Sequence, residues 1–188
     1  AGLIADLVGV LSAVFFCQLF FAQSIASSIH DHEIEVVNIQ ELDPTIMVDL
    51  RYSSKNNFLK KDIYGDLEDC FLRKEPAEML CLANKHLKES YPELRLLVFD
   101  GLRTRSVQKK LWDALDTISL SERTQFVADP EKGSIHNYGA AVDLTLSLEN
   151  GLELDMGTNY DHFGELAFPA LEDSLLALGK LTDKQIEN

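Results

Sequence analysis

Ala140-Ala141-Val142-Asp143-Leu144-Thr145-Leu146, running on into Glu149-Asn150-Gly151, is the stretch on which the fold turns. Its apolar run, broken by a single charge, reads as a strand and predicts burial on both faces. Glu149-Asn150-Gly151 reads as a hairpin turn. Upstream, Leu94 to Phe99 reads as another strand, and Arg105 to Ile118 as an amphipathic helix. Val36 to Glu41 and Ile46 to Arg51 look like short strands separated by a turn at Pro44. Pro76 suits the first position of a helix, and Met79, Leu80, Ala83 and Leu87 recur at helical spacing through Tyr91. Ser119 to Lys132 is polar and loop-rich. Strands and helices grouped in this way predict an α+β single domain, residues 31–188, with a small antiparallel sheet flanked by helices.

Chemistry concentrates just before and within that strand, in Gly133 to Thr145, G-S-I-H-N-Y-G-A-A-V-D-L-T. His136 stands seven residues before Asp143, Ser134 precedes the histidine, and Gly139 lies between them. Imidazole and carboxylate are both good zinc ligands, and Gly139 permits a turn closed to other residues. A carboxylate inside a buried strand needs a cation or several hydrogen bonds. The plainer alternative is a surface histidine and a hydrogen-bonded aspartate, since a zinc site needs three or four ligands and two are visible. Arg103 follows a strand end at Asp100-Gly101, where a turn can aim a guanidinium into a cleft to bind a carboxylate or an oxyanion. A structural Arg103–Asp100 pair is its alternative.

The full string S-x-H-x-x-G-x-A-x-D resembles the D-alanyl-D-alanine dipeptidases, zinc enzymes that include the vancomycin-resistance dipeptidases. Val48-Asp49-Leu50-Arg51-Tyr52, Asn57-Phe58, Tyr64-Gly65, Cys70-Phe71-Leu72-Arg73, Phe99-Asp100-Gly101-Leu102-Arg103 and Met156-Gly157-Thr158 with Tyr160-Asp161 extend the likeness from about Glu35 onward. The resemblance implies that His136 and Asp143 are two of three protein ligands to one Zn2+. It implies that Arg103 stabilises the transition state and that Ser134 lines the substrate pocket. The substrate implied is the small dipeptide D-Ala-D-Ala, tied to peptidoglycan turnover. Thr104 stands where the family usually has proline, which loosens the local backbone.

The family's late E-x-W-H segment, source of the catalytic glutamate and the third zinc ligand, does not occur here; the single tryptophan, Trp112, sits in another context. Near the C-terminus, Thr182 reads as a helix N-cap with Gln185 completing a capping box, and Leu181 with Ile186 as a hydrophobic staple. A helix stopping at Asn188 is too short to be stable alone. These signals predict a chain that lacks its C-terminal segment and is inactive as it stands. Two alternatives remain open: a pseudoenzyme that binds cell-wall peptides, and a zinc D,D-carboxypeptidase acting on longer stem peptides.

Leu7 to Ala22 is mostly apolar, and Ser24-Ile25-Ala26 resembles a cleavage site, so residues 1–26 read as a signal peptide without its basic start. The run is shorter than a spanning helix needs, which predicts export, to a periplasm, without stable membrane insertion. The net charge is -14, of which Asp6 contributes -1 and everything from Asp31 onward -13. Such acidity argues against nucleic acid. Of three cysteines, Cys17 falls in the leader, and Cys70 and Cys81 are either bridged or free. His162 is the only histidine beyond the motif and sits where the family has no ligand; His86 reads as a surface residue.

Overall fold

The computed structural model describes residues 34–188. The predicted leader, Cys17, His30 and His32 lie outside the described residues.

Val36 to Asn188 carries the elements that build the site. Strand β1 (Val36–Asn38) pairs antiparallel with β3 (Phe71–Arg73), and a three-stranded sheet runs in the order β2 (Met47–Val48), β4 (Leu94–Asp100), β5 (Asp143–Leu148). The β4–β5 pair is antiparallel, with Leu96 opposite Leu146, and its register shifts between Val98 and Asp100. The β2–β4 pair is parallel over two residues. Between them lie β3 and helix α2 (Lys74–Ser90), the crossover that parallel neighbours require. The α+β architecture therefore holds, with one short parallel pairing inside a mainly antiparallel arrangement.

Several predicted boundaries shift for local reasons. The first strand ends at Asn38, whose side chain caps Gln40 N at 2.9 Å and starts helix α1 (Ile39–Leu42). The second strand ends at Val48, and Arg51–Ser53 forms a 3-10 turn. Helix α2 begins at Lys74, so Pro76 sits at its third position, still within the turn where no N–H is needed. Its inward face is Ala77, Leu80, Asn84 and the half-buried Leu87; Met79 and Ala83 point outward. Asn84 can be buried because it donates to Asp43 and Thr45 and accepts from Leu96 N. Helix α3 (Arg105–Asp113) ends earlier than the periodicity suggests, and a short helix α4 (Leu120–Arg123) interrupts the predicted loop.

Two apolar clusters support the sheet. Ile39, Ile46, Leu72, Ala77, Leu80, Leu96 and Val98 join α1, α2 and the strands, while Tyr52, Leu111, Leu115 and Val127 gather around α3. Strand β5 does not match its reading. It starts at Asp143 rather than Ala140, and its buried residues alternate: Thr145 and Ser147 face in, Leu144 faces out. On the other face Leu146 packs against the first apolar cluster, and Asp143 is not sealed inside because it heads the strand where the cavity opens, its side chain 36% exposed. The Glu149-Asn150-Gly151 turn forms as read, with Gly151 at φ 83° and Ser147 bridging Glu153.

After α5 (Glu172–Ala177), helix α6 (Asp183–Glu187) carries the capping box read from Thr182 and Gln185. It is held by tertiary contacts. Leu181 packs against Gly157, Gln185 Nε2 donates to Asp155 Oδ2 at 2.9 Å, and Asn188 Nδ2 donates to Asp155 O at 2.8 Å. No helix among the described residues is long and apolar enough to cross a membrane. Cys70 is buried, Cys81 is half-buried, and both are free thiols.

Candidate active site and metal centre

Two segments far apart in sequence are laced together at the end of β4. Gly101 lies so close to its neighbours that a Cβ there would stand 2.5 Å from Cys70 Sγ and 2.9 Å from Phe71 O. Two residues on, Arg103 N donates to His136 O at 3.0 Å, and Asn137 Nδ2 donates to Arg103 O at 2.8 Å. The histidine rides on a 3-10 turn (Ile135–Tyr138) opened by a Ser134–Asn137 capping box and closed by Gly139 at φ 61°. Gly139 O accepts from Arg73 N at 2.9 Å, fastening that turn to β3. Thr104 is the N-cap of α3, its Oγ1 accepting from Val107 N at 3.3 Å. A capping hydroxyl thus orders the backbone that loss of proline was expected to loosen.

A cavity of about 300 Å³ opens here, and Arg103, Ser134, His136 and Asp143 all line it. The four residues singled out from sequence are therefore brought together. Ser134 Oγ already accepts from His136 N at 3.3 Å, leaving its hydrogen free to donate. Among the described residues, Asp100, His136 and Asp143 form a group able to take a divalent cation, one ligand atom from each lying within 4.8 Å of the others.

Within that group the two ring nitrogens of His136 face different ways. Nδ1 lies 2.9 Å from Gly101 O, which can only accept, so the hydrogen sits on Nδ1. Nε2 then offers its lone pair toward Asp143 Oδ1, 3.5 Å away. Ligands about 2.1 Å from a tetrahedral zinc stand roughly 3.4 Å apart, so this pair fits two corners of one zinc site. Asp100 lies on the other side, 3.7 Å from Nδ1, fully buried and occupied by Tyr64 Oη at 2.5 Å and Gly101 N at 3.0 Å. It supports the histidine and the arginine from behind. His162 lines a separate depression with Glu153 and Asp155 and is not part of the group.

Arg103 is buried, with Nε 3.1 Å from Asp100 Oδ2. The contact is an ion pair without hydrogen-bond alignment, since neither atom completes that geometry. Both sequence readings of Arg103 thus coexist, one edge of the guanidinium paired with Asp100 while the side chain borders the cavity. Burial works against its charge, and Asp100 together with Tyr52, Tyr64 and Asp143 more than offsets that. Burial pushes the Asp100 carboxyl up, with Arg103 and the Tyr64 hydrogen bond pulling back. For Asp143, burial is outweighed by the attraction of a protonated His136 ring and by the hydrogen bond from Tyr160, so its carboxyl stays below the usual range. His136 moves up, burial opposing and Asp143 prevailing.

Sequence reasoning gave no role to the opposite wall. Asp161 lines the cavity with its backbone at φ 60°, a conformation uncommon for a residue with a side chain. It accepts from Tyr52 Oη at 3.3 Å and Phe58 N at 3.4 Å, and burial pushes its carboxyl up to about 6. Phe58 and Phe126 each pack edge-on against Phe163 beside it. Burial also pushes the phenols of Tyr52, Tyr64 and Tyr160 well above their ordinary value, so each hydroxyl keeps its proton and donates.

Arg103, His136 and Asp143 thus line one cavity, with a group able to take a cation at its edge. The peptidase M15 family model, described as D-ala-D-ala dipeptidase, matches residues 32–175, and the chain belongs to this family. It is 32% identical over 131 residues to a D-alanyl-D-alanine dipeptidase of Escherichia coli (strain K12), which covers 70% of this chain and 63% of that protein. The chain thus spans less than two thirds of the length of the curated relative it matches.

Proposed function

We propose that this protein is a zinc-dependent peptidase acting on D-alanyl-D-alanine, with His136 Nε2 and Asp143 holding one zinc. The observation that carries the reading is the 3.5 Å approach of those two ligand atoms at the rim of a cavity that also holds Arg103 and Asp161. Bound zinc supplies a Lewis acid that activates water and polarises the scissile carbonyl. The guanidinium of Arg103 faces the charge that develops on that carbonyl oxygen. Ser134 has a hydroxyl hydrogen to give a substrate acceptor. The ionised carboxylate of Asp161 suits a free ammonium group, and the Phe58, Phe126 and Phe163 rings keep water from that end.

Asp161 also favours a free dipeptide over a longer stem peptide. A stem peptide presents an uncharged amide where the dipeptide carries its ammonium, and a buried carboxylate left facing an amide is poorly compensated. The 188 residues contain no E-x-W-H, and no glutamate lines the cavity among the described residues. We therefore infer that these 188 residues by themselves bind zinc and the dipeptide without turning it over, the peptidase activity requiring a catalytic glutamate that they do not supply. The apolar run at Leu7–Ala22 supports export, testable by fractionating cells that express the chain.

Equilibrium dialysis of the chain against zinc, followed by calorimetric titration with D-alanyl-D-alanine, tests the reading. One zinc per chain and zinc-dependent dipeptide binding are expected, both lost in His136→Ala. Failure to bind zinc overturns the metallopeptidase reading. Release of free D-alanine by the chain overturns the inference of inactivity and leaves the rest standing.

A further inference from the structure

The Asp143 carboxylate has two oxygens in different company. Oδ1 faces His136 Nε2 at 3.5 Å, while Oδ2 accepts from Tyr160 Oη at 2.9 Å. The Asp143 side chain is 36% exposed and heads an edge strand, so burial alone does not fix its rotamer. The phenol is well anchored. Its ring packs 5.2 Å from Phe99 and 6.0 Å from Tyr52, between centroids, one on the central strand and the other in the second apolar cluster.

Resting on the metal site proposed above, we propose that Tyr160 is a positioning residue that makes Asp143 a single-oxygen ligand. A carboxylate free to turn can grip a cation through both oxygens, which spends an extra coordination position. A catalytic zinc site keeps a position open for water or substrate. With Oδ2 held by a protonated phenol, Oδ1 alone is presented beside His136. The hydroxyl acts through the ligand and touches no reacting atom. Partners of this kind, hydrogen-bonded to ligating carboxylates, typically govern about 10- to 100-fold of metal affinity.

Tyr160→Phe keeps the ring and removes only the hydroxyl. The full chain and this variant are titrated with zinc against a chromophoric chelator, and with Co2+ followed by its visible absorption. That absorption is strong for four-coordinate cobalt and weak for higher coordination, a property that packing of a distant ring does not move. The expected result is zinc affinity weaker by about 10-fold or more in Y160F, with a weakened and shifted cobalt band. Equal affinity and an unchanged band overturn the proposal, even if Y160F unfolds at lower temperature. Failure of Y160F to fold overturns it as well, since the hydroxyl would then serve the fold. An unsubstituted chain that binds neither ion overturns the underlying metal site and this role together.

Discussion

The imidazole of His136 donates from Nδ1 to the carbonyl oxygen of Gly101 at 2.9 Å, and this one bond decides which nitrogen faces the cavity. Gly101 O belongs to the chain just past the central strand, so the tautomer of a loop residue is set by the rigid end of the sheet. An imidazole oriented in this way would need no rearrangement to take the proposed metal.

Removing either end of the facing pair should remove the metal. His136→Ala and Asp143→Ala are each expected to lower bound zinc from one per chain to none at micromolar zinc, measured by dialysis and atomic emission. Protons compete for the same nitrogen, whose affinity for them Asp143 raises against the opposing effect of burial. Zinc affinity of the unsubstituted chain should therefore weaken as pH falls through that raised value.

Gly101→Ala tests the close approach behind the site. The added Cβ meets Cys70 Sγ and the backbone oxygen of Phe71, so a cost of roughly 2 kcal/mol is expected from overpacking. Urea unfolding of metal-free protein measures it. Adding Cys70→Ala should recover only part, because the Phe71 oxygen cannot yield by a rotamer change.

Arg103 and Asp100 should behave as a coupled pair. Arg103→Met strands a fully buried carboxylate and is expected to destabilise by about 3 kcal/mol. Asp100→Asn in the same chain should return a large part of that loss, an interaction visible in a double-mutant cycle. Additive losses would show that the two side chains are not coupled.

The pH dependence of ligand binding should report Asp161. Its folded value, about 6, lies above the ordinary 3.8, so between roughly pH 4 and pH 6 the folded chain holds the extra proton. Its contribution to stability is then largest below that window and falls as pH rises through it. Affinity for an ammonium-bearing dipeptide should move the opposite way, strengthening as pH rises through about 6 at saturating zinc. Asp161→Asn should flatten that rise. A profile identical in both proteins would remove Asp161 from ligand recognition.

His136, Asp143, Arg103 and Ser134 were legible because a short motif and a strand-end turn place them, and the structure gathers all four around one cavity. The α+β class was legible because Leu94–Asp100 and the 140s strand announce themselves by composition. The burial of β5 was read too broadly: Thr145 and Ser147 are its most buried side chains and Leu146 packs against the first apolar cluster, while Leu144 on this edge strand is exposed. In α2 Leu80 and Leu87 face the core as their spacing suggested, while Met79 and Ala83 do not; the inward place goes to Asn84, whose three partners are invisible to hydropathy. The role of Asp161 depends on a left-handed backbone and on Tyr52, more than a hundred residues earlier, and no local pattern encodes that meeting. The helix at Asp183–Glu187 was read correctly at its cap and underrated in its stability, which comes from Asp155 and Gly157.

That last arrangement ties the rim of the cavity to the chain's final turn. The segment bearing Tyr160 and Asp161 starts at Asp155, and Asp155 is gripped by Gln185 and Asn188. A five-residue helix has little cooperativity of its own, so it is expected to open and close together with the segment it grips, which hydrogen exchange would show as matching protection. A dipeptide bound at Asp161, as proposed, would then draw on the same free energy that keeps the terminal turn closed. Amide hydrogens at Asp183–Glu187, remote from any reacting atom, become slow-exchange reporters of an occupied site.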